Sequence, residues 1–123
     1  MALSANVVQD LGASRVVKKI TCTGFGTTGE ATGFVLPADC VVTACWIDVT
    51  TVETTGSTKT IDIGISADDD EFAAGLSVAA AVQLNSGISF PLFAEGGEEV
   101  YVNSNANALT QAVVDVFIEY IEQ

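Results

Sequence analysis

Alternation of apolar and polar positions runs through most of the chain, and STKTIDIGIS, residues 57–66, shows it most cleanly. Ile61, Ile63 and Ile65 fall on one face of an extended strand, with Thr60, Asp62 and Gly64 on the other, the pattern of a strand buried on one side. In CVVTACWIDVTTV, residues 40–52, the expected division sets Val41, Cys45, Ile47 and Val49 against Val42, Ala44 and Trp46. A strand apolar on both faces is covered on both sides or meets a partner with its second face. For Trp46 a plain core role is the first expectation, and a place at that second surface is the alternative. The segment TQAVVDVFIEYIE, residues 110–122, sets Val114, Val116, Ile118 and Tyr120 against Val113, Phe117 and Ile121. Together with EEVYVNS across the turn NANAL, it predicts a closing hairpin.

The remaining strands are less regular. Residues 15–23 alternate poorly, but their β-branched content favours a strand. Residues 76–93 read as one or two short strands broken at Asn85-Ser86-Gly87. TGFGTTGEATG, residues 23–33, holds four glycines. It lacks the spacing and following helix of a phosphate-binding loop, so a turn region is expected. Residues 1–13 carry no sustained period and read as an N-terminal arm, leaving residues 14–123 as the single domain. Leu3, Val7 and Val8 are the arm's candidate contact residues.

The acidic stretch Asp68–Glu71 interrupts this grammar. As a calcium loop it fails, because Phe72 and Ala73 fall where ligand or turn residues belong. The residue types instead predict a short helix near 69–74. Asp68 would cap it, Glu71 would reach back, and Gly75 would supply the left-handed stop. Catalysis by these carboxylates is not expected, since four adjacent acids in one exposed loop share one solvated environment.

Composition narrows the function classes. The net charge is −12, from 16 acidic and 4 basic residues. All four basic groups lie before residue 60, and eleven of the acids lie after it. Such a surface repels nucleic acid and anionic membranes. No histidine exists to serve a serine or cysteine nucleophile or to complete a zinc site. Cys22, Cys40 and Cys45 lack paired spacing and read as reduced core thiols. No catalytic residue, cofactor or metal is assigned, and an enzyme is not expected. The positive charges follow the apolar residues of the N-terminal segment, the reverse of a signal peptide.

The order LPADCVVTACWIDVTTV, then GSTKTIDIGISADDDEFAAGLSVAA, then GGEEVYVNSNANALTQAVVDVFIEYIE resembles small virion proteins of tailed bacteriophages, of the head-decoration or head-fibre type. The best-defined pieces are Thr60–Gly64, Asp68–Phe72 and Phe117–Tyr120. The resemblance implies an all-β, antiparallel β-sandwich, jelly-roll-like, and a capsid decoration protein that binds and stabilises the outer surface of the head. It further implies the major capsid protein as partner, a homo-oligomer such as a trimer, and a virion location after synthesis in the host cytoplasm. The alternatives are a tail or neck component, or a carbohydrate- or host-surface-binding module using Trp46, Tyr101 and Tyr120 as an aromatic platform.

Overall fold

A computed structural model describes residues 15–94, 97–105 and 107–122. The expected arm, with Leu3, Val7 and Val8, lies outside the described residues. Among the described residues there are nine strands: β1 Arg15–Phe25, β2 Glu30–Val35, β3 Cys40–Thr51, β4 Thr60–Ile65, β5 Asp68–Ser77, β6 Gln83–Asn85, β7 Leu92–Ala94, β8 Glu99–Ser104 and β9 Leu109–Ile121. They form two antiparallel sheets packed as a sandwich. Sheet A has the order β1-β9-β3-β6, with β7 sharing the far edge of β3; sheet B has the order β2-β8-β4-β5.

The core lies between the two inner faces. Val114, Val116, Ile118 and Tyr120 of β9 meet Val42, Cys45, Ile47 and Val49 of β3 and, from sheet B, Ile61, Ile63, Val100 and Val102. All are buried, and Ile47, Ile61 and Ile63 are fully so. Burying each such side chain contributes about 1.5–3 kcal/mol, enough to hold this domain without disulfides. The three cysteines are free thiols; Cys40 and Cys45 are buried and Cys22 is half-buried.

Three sequence expectations are corrected. First, the short helix at 69–74 is absent: Asp68–Ser77 is strand β5, joined to β4 by a tight turn at Ser66-Ala67. Its pairing runs Ile61↔Leu76, Ile63↔Ala73, Ile65↔Asp68, so β5 carries extra residues twice. These bulges give Phe72 and Leu76 a helix-like spacing while both remain buried in a sheet. Gly75, at φ +64°, serves the first bulge rather than a helix end, and its N–H donates to Asp62 Oδ1 at 2.8 Å. Second, β8 and β9 are not a hairpin, because β8 pairs with β2 and β4 whereas β9 pairs with β1 and β3. The connection crosses from one sheet to the other. Third, Val42 rather than Val41 joins the inner face of β3, because a bulge between Val42 and Ala44 shifts the alternation by one residue.

Candidate functional site

Sheet A is two-faced. Facing residues on antiparallel strands share one side of the sheet, so its outer surface can be read rung by rung. Lys19, Phe117, Trp46 and Asn85 form one row across β1, β9, β3 and β6. The next row is Thr21, Asp115, Asp48 and Gln83, and on the other side stand Val17, Glu119 and Ala44.

The centre of this face is aromatic. Trp46 and Phe117 stack with ring centroids 5.3 Å apart and planes 4° from parallel. Both are half-buried by each other and by the sheet, and Val17 beside them is 48% exposed. The rim is polar: Arg15 pairs with Glu119 at 3.2 Å, Thr43 Oγ1 donates to Glu119 Oε1 at 2.8 Å, and Thr21 Oγ1 donates to Asp115 Oδ1 at 2.6 Å. Asp48 and Asp115 stand directly opposite each other, an unfavourable like-charge pair that a cationic partner would relieve. An apolar, aromatic centre ringed by charge is the anatomy of a protein contact surface.

The acidic stretch forms a second feature. Asp68, Asp69 and Asp70 are exposed, and their carboxylate oxygens gather within 4.8 Å of one another. The neighbouring Asp68 carboxylate, by accepting a hydrogen bond from the protonated form of Asp70 and then by its charge, pushes the Asp70 carboxyl above the ordinary range. Glu71 is also raised, chiefly by burial and then by the charges of Glu98 and Asp68, and its Oε2 is buried without a partner. The segment reaches this position by crossing Gly64, where a side chain would collide with the Asp68 and Asp69 main chain.

Glu53, at the end of β3, is sealed from solvent at 1% exposure. Its Oε1 accepts from the N–H groups of Gln111 at 2.9 Å and Ala112 at 3.2 Å, and its Oε2 accepts from Thr55 Oγ1 at 2.6 Å. The Thr55 hydroxyl first, then the Gln111 amide, hold its carboxyl below the ordinary glutamate range, outweighing the opposing effect of desolvation. Its role is to tie the β3–β4 connection to β9. Burial pushes the Cys45 thiol up to about 12 and, with the charge of Asp115, the Cys22 thiol up to about 11, so both stay protonated and unreactive at neutral pH.

Of the residues singled out from sequence, Trp46 lies on the second face of β3, half-buried, rather than in the core. The aromatic platform of the carbohydrate reading does not assemble. Trp46 is on the outer face of sheet A, Tyr101 is on sheet B, and Tyr120 is buried in the core against Phe34 at 6.0 Å. Sequence reasoning missed Phe117 as a site residue; its position opposite Trp46 depends on a strand pairing that no local pattern reveals. It also missed Val17 and Glu53.

A two-layer sandwich of this order is a fold found in phage capsids. In particular, the chain is similar to a chain in the capsid asymmetric unit of cyanophage Pam1, with a TM-score of 0.72, 14% identity, and coverage of 98% of this chain and 94% of that one. It is also similar to a chain in the capsid of Ralstonia phage GP4, at TM-score 0.69 and 21% identity, covering 98% and 92%. A third likeness is to the acidic stable capsid structure of Helicobacter pylori bacteriophage KHP30, at TM-score 0.61 and 14% identity, covering 88% and 91%. No family model and no curated protein matches the chain. The resemblance read from the sequence is thus met in the fold.

Proposed function

We propose that this protein is a non-enzymatic structural component of a phage virion, a decoration protein that binds the outer surface of the head and stabilises it by contact with the major capsid protein. The observation that carries the reading is the outer face of sheet A, where Trp46, Phe117 and Val17 form an apolar centre within a charged rim. The fold shared with chains of three phage capsids supports it. We read the strand order, with every connection except β4–β5 and β6–β7 passing from one sheet to the other, as a jelly roll. Leu3, Val7 and Val8, in the proposed arm of residues 1–13, are the second contact. The virion is the proposed location, after synthesis in the host cytoplasm.

The test is co-sedimentation with undecorated capsids at two salt concentrations. Truncating a central aromatic anchor costs about 2 kcal/mol or more of binding, roughly 30-fold in affinity. Trp46→Ala and Phe117→Ala should each weaken binding by that order while leaving the melting curve cooperative. A chain beginning at Ser14 should stay folded and bind more weakly than the full chain. Binding by both aromatic variants at full strength would remove sheet A as the contact. No binding by the intact protein would sink the decoration reading and favour a tail or host-surface role.

A further inference from the structure

The lateral margins of the sandwich carry features of their own beside the surface just described. β1 closes sheet A on one side and is hydrogen-bonded to β9 alone. An edge strand with a free row of N–H and C=O groups invites pairing and is usually blunted by lysines or bulges. β1 has both, with a register shift between Thr23 and Phe25 and the exposed Lys18 and Lys19 at mid-strand. Arg15, Lys18 and Lys19 are three of the chain's four cations. Arg15 is engaged by Glu119, but among the described residues neither lysine has a carboxylate within ion-pair reach.

β5 closes sheet B and pairs with β4 alone. Its first four residues are the acids Asp68–Glu71, of which Asp68, Asp69 and Asp70 are exposed without a cation beside them among the described residues. The two strands sit on opposite margins. β1 stands over β2, with a cleft of about 210 Å³ between them, whereas the chain leaving β5 crosses at the other margin to reach β3, where Val49 N–H donates to Val82 O at 3.0 Å. One body therefore presents a basic margin and an acidic margin facing away from each other.

We infer that copies of this chain associate edge to edge, the Lys18–Lys19 margin of one copy docking on the Asp68–Asp70 margin of the next. Symmetric pairing is disfavoured by charge: β1 against β1 sets lysine against lysine, and β5 against β5 sets aspartate against aspartate. Only the head-to-tail contact joins opposite charges, and such a contact closes into a ring when its rotation permits. The bulges of β5 disfavour a continuous ladder across the contact. Recognition is therefore by side-chain charge, with the exposed Val17 supplying apolar area beside it. This inference needs no capsid and stands or falls apart from the decoration reading.

The experiment is analytical ultracentrifugation of the full chain across a hundredfold range of concentration. Wild-type protein should shift from monomer to a discrete oligomer. Lys18→Glu/Lys19→Glu and Asp69→Lys/Asp70→Lys should each weaken association at least ~10-fold, since like-charge juxtaposition costs several kcal/mol. The chain carrying all four changes should regain it, because the exchanged margins are again complementary. A cooperative melt verifies that each variant is folded. A wild-type chain that stays monomeric, double variants that associate as wild type, or a folded fourfold variant that fails to recover would each overturn the inference.

Discussion

Adding one methyl group at Gly64 should destabilise the protein more than its size suggests. The backbone of Gly64 is not in the left-handed region, so alanine's own preferences are met there. The obstacle is the neighbouring chain: a Cβ would lie 2.5 Å from the carbonyl carbon of Asp69 and 2.7 Å from its oxygen, and closer still to Asp68 O. Ordinary contact begins near 3.4 Å, so the Asp68–Asp69 main chain must retreat by about 1 Å, in a packed structure where overfilling costs about 1–3 kcal/mol. That retreat strains the Ile65↔Asp68 rung and the seat of Phe72, which is 1% exposed. One weakened hydrogen bond adds about 1 kcal/mol, for a total of about 2–4 kcal/mol. For 123 residues the whole stability is about 6–18 kcal/mol, so the loss is measurable by urea unfolding followed by circular dichroism. Gly24 supplies the control, with φ +68° and nothing within 4 Å of an added Cβ. Gly24→Ala should cost only the left-handed penalty of about 1–2 kcal/mol. A Gly64→Ala variant within about 0.5 kcal/mol of wild type, or no costlier than Gly24→Ala, would refute the steric reasoning.

Ile63→Asp should abolish cooperative unfolding, since it places an unpaired carboxylate at a fully buried position at a cost of several kcal/mol; Asp62→Asn, which keeps an acceptor for Gly75 N–H, should melt close to wild type. Equal behaviour of the two would show that the facing of β4 is wrong. Excess calcium and chelator should give melting temperatures within about 3 °C of each other, because a weak ion on exposed carboxylates contributes well under 1 kcal/mol, and a larger rise would mark Asp68–Asp70 as a true site. Glu71→Gln and Asp70→Asn should stabilise at about pH 7 and lose that gain by about pH 4. Their folded carboxyls titrate high, so the ionised forms cost stability and the cost disappears as pH falls through those raised values. Glu53→Gln should run the opposite way: its lowered carboxyl contributes stability above the ordinary glutamate range and loses it as pH falls through the folded value, so the wild-type advantage shrinks on acidification. Urea midpoints across that range check both signs, and a shared sign would contradict the assignments.

The inward sets of β4 and β9 were legible in the sequence because both strands alternate without interruption over the residues that matter. The place of Trp46 was not legible in the same way: on a strand apolar on both faces the core is the first expectation for a tryptophan, and only the sheet order shows which face is left uncovered. What eluded the pattern is bulge-dependent. One extra residue near Thr43 exchanged Val41 for Val42, and the extra residues of β5 imitated a capped helix closely enough to place Asp68, Phe72 and Gly75 in helical roles. The overlooked signal there was Gly64, a glycine inside a strand with no turn to make, which marks the close passage of another backbone. The crossing from β8 to β9 had no local signal, since a short polar connection serves a hairpin and a change of sheet equally well. Phe117 became a site residue only through its register opposite Trp46.

The position of β9 has a consequence for how the protein acquires its structure. β9 lies between β1 and β3 in sheet A and is the last of the nine strands to leave the ribosome. Arg15 must wait for Ile121 and Thr21 for Asp115, contacts spanning most of the chain. Until then the first and third strands have no neighbour to join them, and half of the sandwich has no centre. Pairings this distant make folding slow relative to helical domains of the same length, and they leave Val42, Ile47 and Val49 open to other chains during synthesis. The net negative charge, concentrated in residues 60–123, then acts before the fold is complete, holding neighbouring nascent chains apart by mutual repulsion.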